Sequence, residues 1–202
     1  MMTTARIQTD SPTVDRPRID SVQKAALPLR LKLKMRLWNL IQVTVFRWSP
    51  GPMRGFRRWL LRLFGARLSS TASIHSAARI DCPWNLEMGH CASLGEESWA
   101  YSLDKIILKD FACIGQRSML LTGTHDISDP TFPLITRPIV IGYGVWIAAG
   151  VTVLPGVEVG SLAVVGAGSV VTKDLPEQMV CAGNPCRPIK RREIKQPSAN
   201  AA

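Results

Sequence analysis

Ile141, Ile147, Val153, Val159, Val165 and Val171 stand six residues apart without a slip. A helix repeats its buried face every 3.6 residues and a strand every 2, so neither accounts for the spacing. A fixed six-residue period describes a chain that turns a corner after each short strand. Three such strands make one triangular coil of 18 residues. The first position of each hexad points inward. The second is small, at Gly142, Ala148, Gly160 and Gly166, and the fifth is small or apolar, at Val145, Val151, Val157, Ala163 and Ser169. Residues one coil apart then stack, Ile141 on Val159, Ile147 on Val165 and Val153 on Val171, about 4.8 Å from coil to coil. The predicted fold class is an all-β solenoid, a parallel β-helix.

The register extends toward the N-terminus in three less regular runs. These are Leu108, Ile114 and Leu120; Met88, Leu94 and Ala100; and Ile74, Ile80 and Leu86. Between Leu120 and Ile141 the count breaks. The interruption from Asp126 to Pro138 carries Pro130, Pro133 and Pro138 and reads as a loop thrown out of the solenoid. Loops on a rigid scaffold are frequent carriers of function.

The expected organisation is a disordered tail over 1–28, a basic amphipathic helical segment over 29–66, the β-helix over 70–185 and a C-terminal tail over 186–202. Ser21 to Ile80 carries 12 Lys/Arg and no Asp/Glu, whereas 81–202 carries 10 basic and 12 acidic residues. The net charge of +10 therefore belongs to the N-terminal part. That part reads as two helices split at Ser49-Pro50-Gly51-Pro52. Leu33, Leu37, Leu40, Ile41 and Val45 are expected on the apolar face of the first. Met53, Phe56, Leu60, Leu63 and Phe64 are expected on that of the second, with Arg54, Arg58 and Arg62 on another face. Such helices can cap the open end of a β-helix or lie on an anionic membrane surface, and both can hold at once. The uncharged run Leu37 to Phe46 is too short to span a bilayer. No nucleic-acid motif accompanies the charge, so no nucleic-acid partner is expected. No signal peptide is visible, and the cysteines at 82, 91, 113, 181 and 186 form no close pair. A reduced cytoplasmic protein is expected, one that can sit at the inner face of the membrane.

The histidines are His75, His90 and His125. His125, in Leu120-Leu-Thr-Gly-Thr-His-Asp126, stands where solenoid meets loop. A neutral imidazole there can take a proton from a hydroxyl or an amine. His75 and His90 lie beside no such loop and read as structural or surface residues. Three histidines without a close pair do not suggest a zinc site, and no metal is expected.

Several segments together resemble the hexapeptide-repeat acetyltransferases. They are Thr122-Gly-Thr-His-Asp126, the proline-containing loop, Val145-Trp-Ile-Ala148, Val153-Leu-Pro-Gly156, Gly166-Ala-Gly-Ser-Val-Val-Thr-Lys-Asp174 and Ala182-Gly-Asn-Pro-Cys-Arg187. The likeness covers about residues 30–192 and is greatest to the sugar O-acetyltransferases. Cys82-Pro-Trp-Asn-Leu86 and the basic N-terminus narrow it to the type of colanic-acid and exopolysaccharide gene clusters. The resemblance implies a left-handed coil, against the usual crossover hand. It also implies a homotrimer with sites at subunit interfaces, acetyl-CoA as cosubstrate and a sugar or oligosaccharide acceptor.

Carried over by motif, His125 is the general base. Asp104 matches a carboxylate near the acceptor hydroxyls, and Ser102 stands where relatives often have Asn. Asp126 either orients His125 or starts the loop. A backbone N–H near Ala148 or Ala149 is expected to stabilise the oxyanion. Ala148 replaces a more usual glycine close to the thioester. Ala149 and Ala167 match small residues along the pantetheine arm, and Thr172 and Lys173 a pair near the CoA phosphates. Arg187 and Lys190 match basic residues there too, as cations suit phosphate. Trp146 is expected to pack at a corner, with ligand stacking as a second role. The same fold also serves N-acetyl transfer to amino sugars and transfer to serine, and it can be a scaffold without activity.

Overall fold

The six inward residues from Ile141 to Val171 are all fully buried in a computed structural model that describes residues 28–194. The expectations for residues 1–27 and for those after 194 lie outside that range. The first coil is built from β1 (Arg67–Leu68), β2 (Ser73–Ile74) and β3 (Arg79–Ile80). The second has β4 (Leu86–Met88), β5 (Ser93–Leu94) and β6 (Trp99–Tyr101), the third β7 (Ile106–Leu108), β8 (Cys113–Ile114) and β9 (Met119–Leu121). A hairpin of β10 (Gly123–His125) and β11 (Leu134–Thr136) follows. The fourth coil is β12 (Ile139–Ile141), β13 (Trp146–Ile147) and β14 (Thr152–Val153), and the fifth β15 (Glu158–Val159), β16 (Val164–Val165) and β17 (Val170–Val171). The chain closes with β18 (Met179–Gly183) and β19 (Cys186–Arg191).

Corresponding strands pair in parallel and form three walls. The first wall runs β1-β4-β7-β12-β15, the second β2-β5-β8-β13-β16-β18 with β19 on its edge, and the third β3-β6-β9-β14-β17. Ile141 pairs with Val159, Ile147 with Val165 and Val153 with Val171, the predicted register. One earlier assignment is corrected. Leu86 does not close the coil of Ile74 and Ile80; it opens the next one, on the same strand as Met88, where it pairs with Ile106. Leu68 pairs with Met88 and Leu86 with Ile106, so the early coils are 20 residues long, not 18. The added residues sit between β3 and β4 and between β6 and β7, where the third wall turns into the first. The hairpin leaves at that same edge, between β9 and β12. Every enlargement of the repeat therefore lies on one edge of the prism.

The small second position has a steric cause. A Cβ on Gly142 would lie 2.7 Å from the Ser161 nitrogen and 2.8 Å from the Val159 oxygen of the next coil. At the corners a left-handed residue is required, and glycine supplies it at Gly144, Gly150 and Gly168. The earlier coils use Cys91, Glu97, Phe111 and Arg117 there, which is why a glycine count underestimates them.

The N-terminal segment folds as α1 (Leu29–Ile41), a wider π-type turn over Gln42–Phe46, and α2 (Arg54–Leu63). Its buried face differs from the expected one. Trp38, Gln42 and Phe46 point to the solenoid, whereas Leu33, Leu37, Leu40 and Val45 are exposed and only Ile41 packs partly against the core. The open coil explains the inversion. Its backbone groups have no preceding strand, and an aliphatic face cannot satisfy them. Trp38 Nε1 donates to the Ile80 carbonyl at 2.6 Å, and Gln42 Oε1 accepts from the Ile80 N–H at 2.7 Å. Arg58 and Arg62 donate to the carbonyls of Ala72 and Leu68. Arg57, which periodicity did not single out, is buried and donates to Ile74, Pro50 and Gly51 carbonyls and to the Ser49 hydroxyl. On α2 and at its ends, Leu60 and Phe64 are buried as expected, but Leu63 and Met53 are exposed.

The C-terminal boundary also moves. Residues 186–191 are not a tail; they form β19, antiparallel to β18, and Arg192 donates to the Gly144 and Leu162 carbonyls.

Candidate functional site

The loop after the third coil is an ordered hairpin whose first strand carries His125, paired with Leu134. Its base is tied to the solenoid, where Arg137 N–H donates to the Thr122 carbonyl at 2.9 Å. Strands of three residues with proline at their margins carry too little alternation to be read from sequence. His125 is exposed, and its Nδ1 lies 2.7 Å from the Phe132 carbonyl oxygen. A carbonyl oxygen can only accept, so Nδ1 carries the proton in this contact. The other nitrogen, Nε2, is then left with a free lone pair, the state a general base requires. The Phe132 carbonyl is a positioning group that no motif indicated.

Asp126 does not orient the imidazole. Its carboxylate accepts the backbone N–H and hydroxyl of Ser128, and these bonds hold its pKa below the usual carboxylate range. It starts the hairpin tip. Asp104 lies on the same edge as the hairpin; its N–H donates to Thr122 Oγ1, and its carboxylate accepts the Lys105 N–H. Ser102 is fully buried, with its hydroxyl donating to the Cys82 carbonyl at 3.0 Å and accepting the Cys82 N–H at 2.9 Å. Both bonds stitch the enlarged corners of two coils together, which removes Ser102 from the surface an acceptor can touch.

The expected donor residues fall on two edges. Ala149 and Ala167 occupy successive corners between the second and third walls, and the β18–β19 turn preceding Arg187 continues that line. Ser169 Oγ accepts the Gly183 N–H at 3.1 Å and fixes the turn there. Thr172 and Lys173 instead lie at the edge between the third and first walls, below the hairpin, and are exposed. Lys190 sits farther along β19, opposite Val180. Trp146 is not a corner residue: it stands in mid-wall on β13, outward and half exposed, between Cys113 and Val164. Ala148 N–H donates to the Val165 carbonyl at 2.9 Å, and its own carbonyl accepts the buried Ser118 hydroxyl at 2.7 Å. Of the two proposed oxyanion donors, only the Ala149 N–H has no partner among the described residues.

His125 and the Ala149–Ala167–Arg187 line are thus separated by the full width of the third wall. One chain does not bring them together. The buried thiols offer no rival nucleophile: burial pushes Cys82 up to about 12 and Cys181 up to about 11. His75 and His90 take part in local bonds, His75 Nδ1 accepting the Ala77 N–H and His90 Nδ1 meeting Thr71 Oγ1. Among the described residues no three His, Cys, Asp or Glu side chains converge as metal ligands.

With this geometry, residues 138–173 match the family described as bacterial transferase hexapeptide (six repeats). The chain is 41% identical over 160 residues to WcaF of Escherichia coli (strain K12), whose name makes it a colanic acid biosynthesis acetyltransferase; the match spans 79% of this chain and 88% of that one. A solved maltose O-acetyltransferase from Clostridium difficile 630 superposes at a TM-score of 0.71, with 30% identity, over 81% of this chain and 89% of the other. A galactoside acetyltransferase solved in complex with coenzyme A superposes at 0.76, with 25% identity, over 83% and 85%.

Proposed function

We propose that this chain, which belongs to the hexapeptide-repeat acetyltransferases and shares their left-handed β-helix, transfers acetyl from acetyl-CoA to a hydroxyl of a sugar in an exopolysaccharide or its precursor. The observation that carries the mechanism is His125 Nδ1 committed to the Phe132 carbonyl. Nε2 accepts the proton of the acceptor hydroxyl as its oxygen attacks the thioester carbon. The tetrahedral oxyanion is met by the Ala149 N–H. Collapse breaks the C–S bond, and the departing thiolate takes the proton back from the imidazolium. No covalent acyl-enzyme is formed.

Because His125 and the donor line lie on different edges, the working site combines two chains, and the closed arrangement we favour is a homotrimer. Acetyl-CoA lies along Ala149, Ala167 and Arg187 of one subunit, against the His125 edge of the next. Lys173 and Lys190 supply charge near its phosphates, Thr172 a hydroxyl, and Asp104 faces the acceptor. Thiol release from acetyl-CoA across a sugar panel tests the reading, with NMR of the product to locate the acetyl group. An O-acetyl sugar is expected; an N-acetyl product moves the acceptor class to amino sugars, and no turnover with any acceptor refutes the proposal.

We further place the protein at the inner face of a membrane, in peripheral contact. No described helix is long and apolar enough to cross a bilayer. Yet Leu29, Leu33, Leu37 and Leu40 form an exposed stripe at helical spacing on α1, beside Arg30, Lys32 and Arg36 and without acidic neighbours. Contiguous exposed apolar surface with cationic flanks suits an anionic lipid interface. The protein is expected to float with anionic vesicles and lose that retention in Leu33→Glu/Leu37→Glu. Equal recovery without vesicles would exclude the contact.

A further inference from the structure

We propose that the acceptor site continues beyond His125 into a second sugar subsite, formed by Tyr101, Asp81, Arg79 and Asn39, so that the acceptor is an oligosaccharide and not a single sugar. The inference rests on the sugar acetyltransferase reading and deepens it. A cavity of about 340 Å³ lies between α1 and the enlarged edge, lined by these four residues together with Arg36 and Leu103. A second, of about 520 Å³, shares Asn39 and Arg79 with it, so the two form one groove along α1. Both are within the size range of small-ligand sites.

The groove reaches the strand that carries His125 through Tyr101 and Leu103, which lie against Gly123. Gly123 and His125 are two residues apart on β10, so their side-chain directions share one face. A Cβ on Gly123 would lie 3.0 Å from Tyr101 Cε1 and 3.0 Å from Leu103 Cδ1. The missing side chain is what lets the tyrosine ring pack against the catalytic strand, about 7 Å along it from His125.

The groups in the groove are fixed and not all used. Arg79 Nε donates to Asp81 Oδ1 at 2.9 Å, and Trp99 Nε1 donates to Oδ2 at 3.2 Å. The Arg79 guanidinium covers the Trp99 ring at 4.3 Å, and Tyr101 meets that ring edge-on at 5.3 Å. The carboxylate keeps further acceptor capacity. The Asn39 amide and the Tyr101 hydroxyl make no hydrogen bond among the described residues. A held carboxylate, an open amide and a phenol beside an aromatic wall match a neutral sugar. Hydroxyls bond the polar groups, while the C–H face of the sugar ring packs on the Tyr101 ring, the aromatic that lines the cavity.

The test compares methyl glucoside and methyl galactoside with maltotriose and galactotriose. At least one trisaccharide should have a KM about tenfold below that of its methyl glycoside, and Asp81→Asn or Asn39→Ala should abolish that advantage. Equal KM values for both lengths in the unmodified enzyme overturn the subsite, as does an equal rise for both lengths in the variants. If no sugar is acetylated, the acetyltransferase reading fails instead. The subsite is then decided by calorimetric titration of the His125→Ala protein with the two trisaccharides: binding lost on adding Asp81→Asn supports it, and no binding refutes it.

Discussion

Ser102 and His125 show how a residue's bonds separate structural from chemical roles. A motif match pointed to His125, and Ser102 stands at an acceptor position where relatives often have Asn. The structure gives Ser102 two bonds to Cys82 and no exposure, whereas one nitrogen of His125 is anchored and the imidazole remains exposed. Ser102→Ala leaves the Cys82 N–H unpaired in the interior, while the Cys82 carbonyl keeps the Asn85 N–H, and should cost about 1–3 kcal/mol. Urea unfolding checks the loss, and the KM for the acceptor should stay unchanged. A changed KM at unchanged stability would return Ser102 to the acceptor site. Of the two candidate oxyanion donors, the Ala148 N–H is already committed to the Val165 carbonyl, which leaves the Ala149 N–H as the proposed one.

At the scale of elements, the β-helix was readable because each hexad repeats one steric demand: an inward aliphatic, then a residue small enough for the next coil's backbone to approach. The hairpin and the capping helices were less readable because their residues answer to partners far away in sequence. α1 turns Trp38 and Gln42 inward because Ile80 needs a donor and an acceptor, a demand that helical periodicity does not register. Arg57 answers the same demand. It is buried with no carboxylate partner among the described residues, and its guanidinium bridges the Ile74 carbonyl of the first coil and the Pro50 and Gly51 carbonyls of the turn between the helices. Arg57→Ala should destabilise the fold by about 3 kcal/mol, and Arg57→Lys should not rescue it, because an ammonium cannot reproduce the planar fork. Denaturant midpoints of the two variants test this. A loss below about 0.5 kcal/mol, the range of ordinary surface changes, would mean the cap is dispensable.

For the whole molecule, the six-residue count and its interruption divide the work. In the proposed mechanism the regular coils from Ile141 to Val171 present small corner residues to the donor, and the break before them carries the base. Sequence alone placed both on one chain and could not reveal that a full wall lies between them; that separation appears only when the corners are assigned to edges. The central claim is that His125 of one subunit acts on acetyl-CoA held by the next. It is tested by co-expressing His125→Ala chains with Ala149→Trp chains, confirming mixed trimers by native mass spectrometry and measuring thiol release. Each variant alone should be inactive. In random mixtures about a quarter of the interfaces regain an intact base and an intact donor wall, so activity should recover to about that fraction. Verified mixed trimers that stay inactive would place the whole site within one chain and contradict the account.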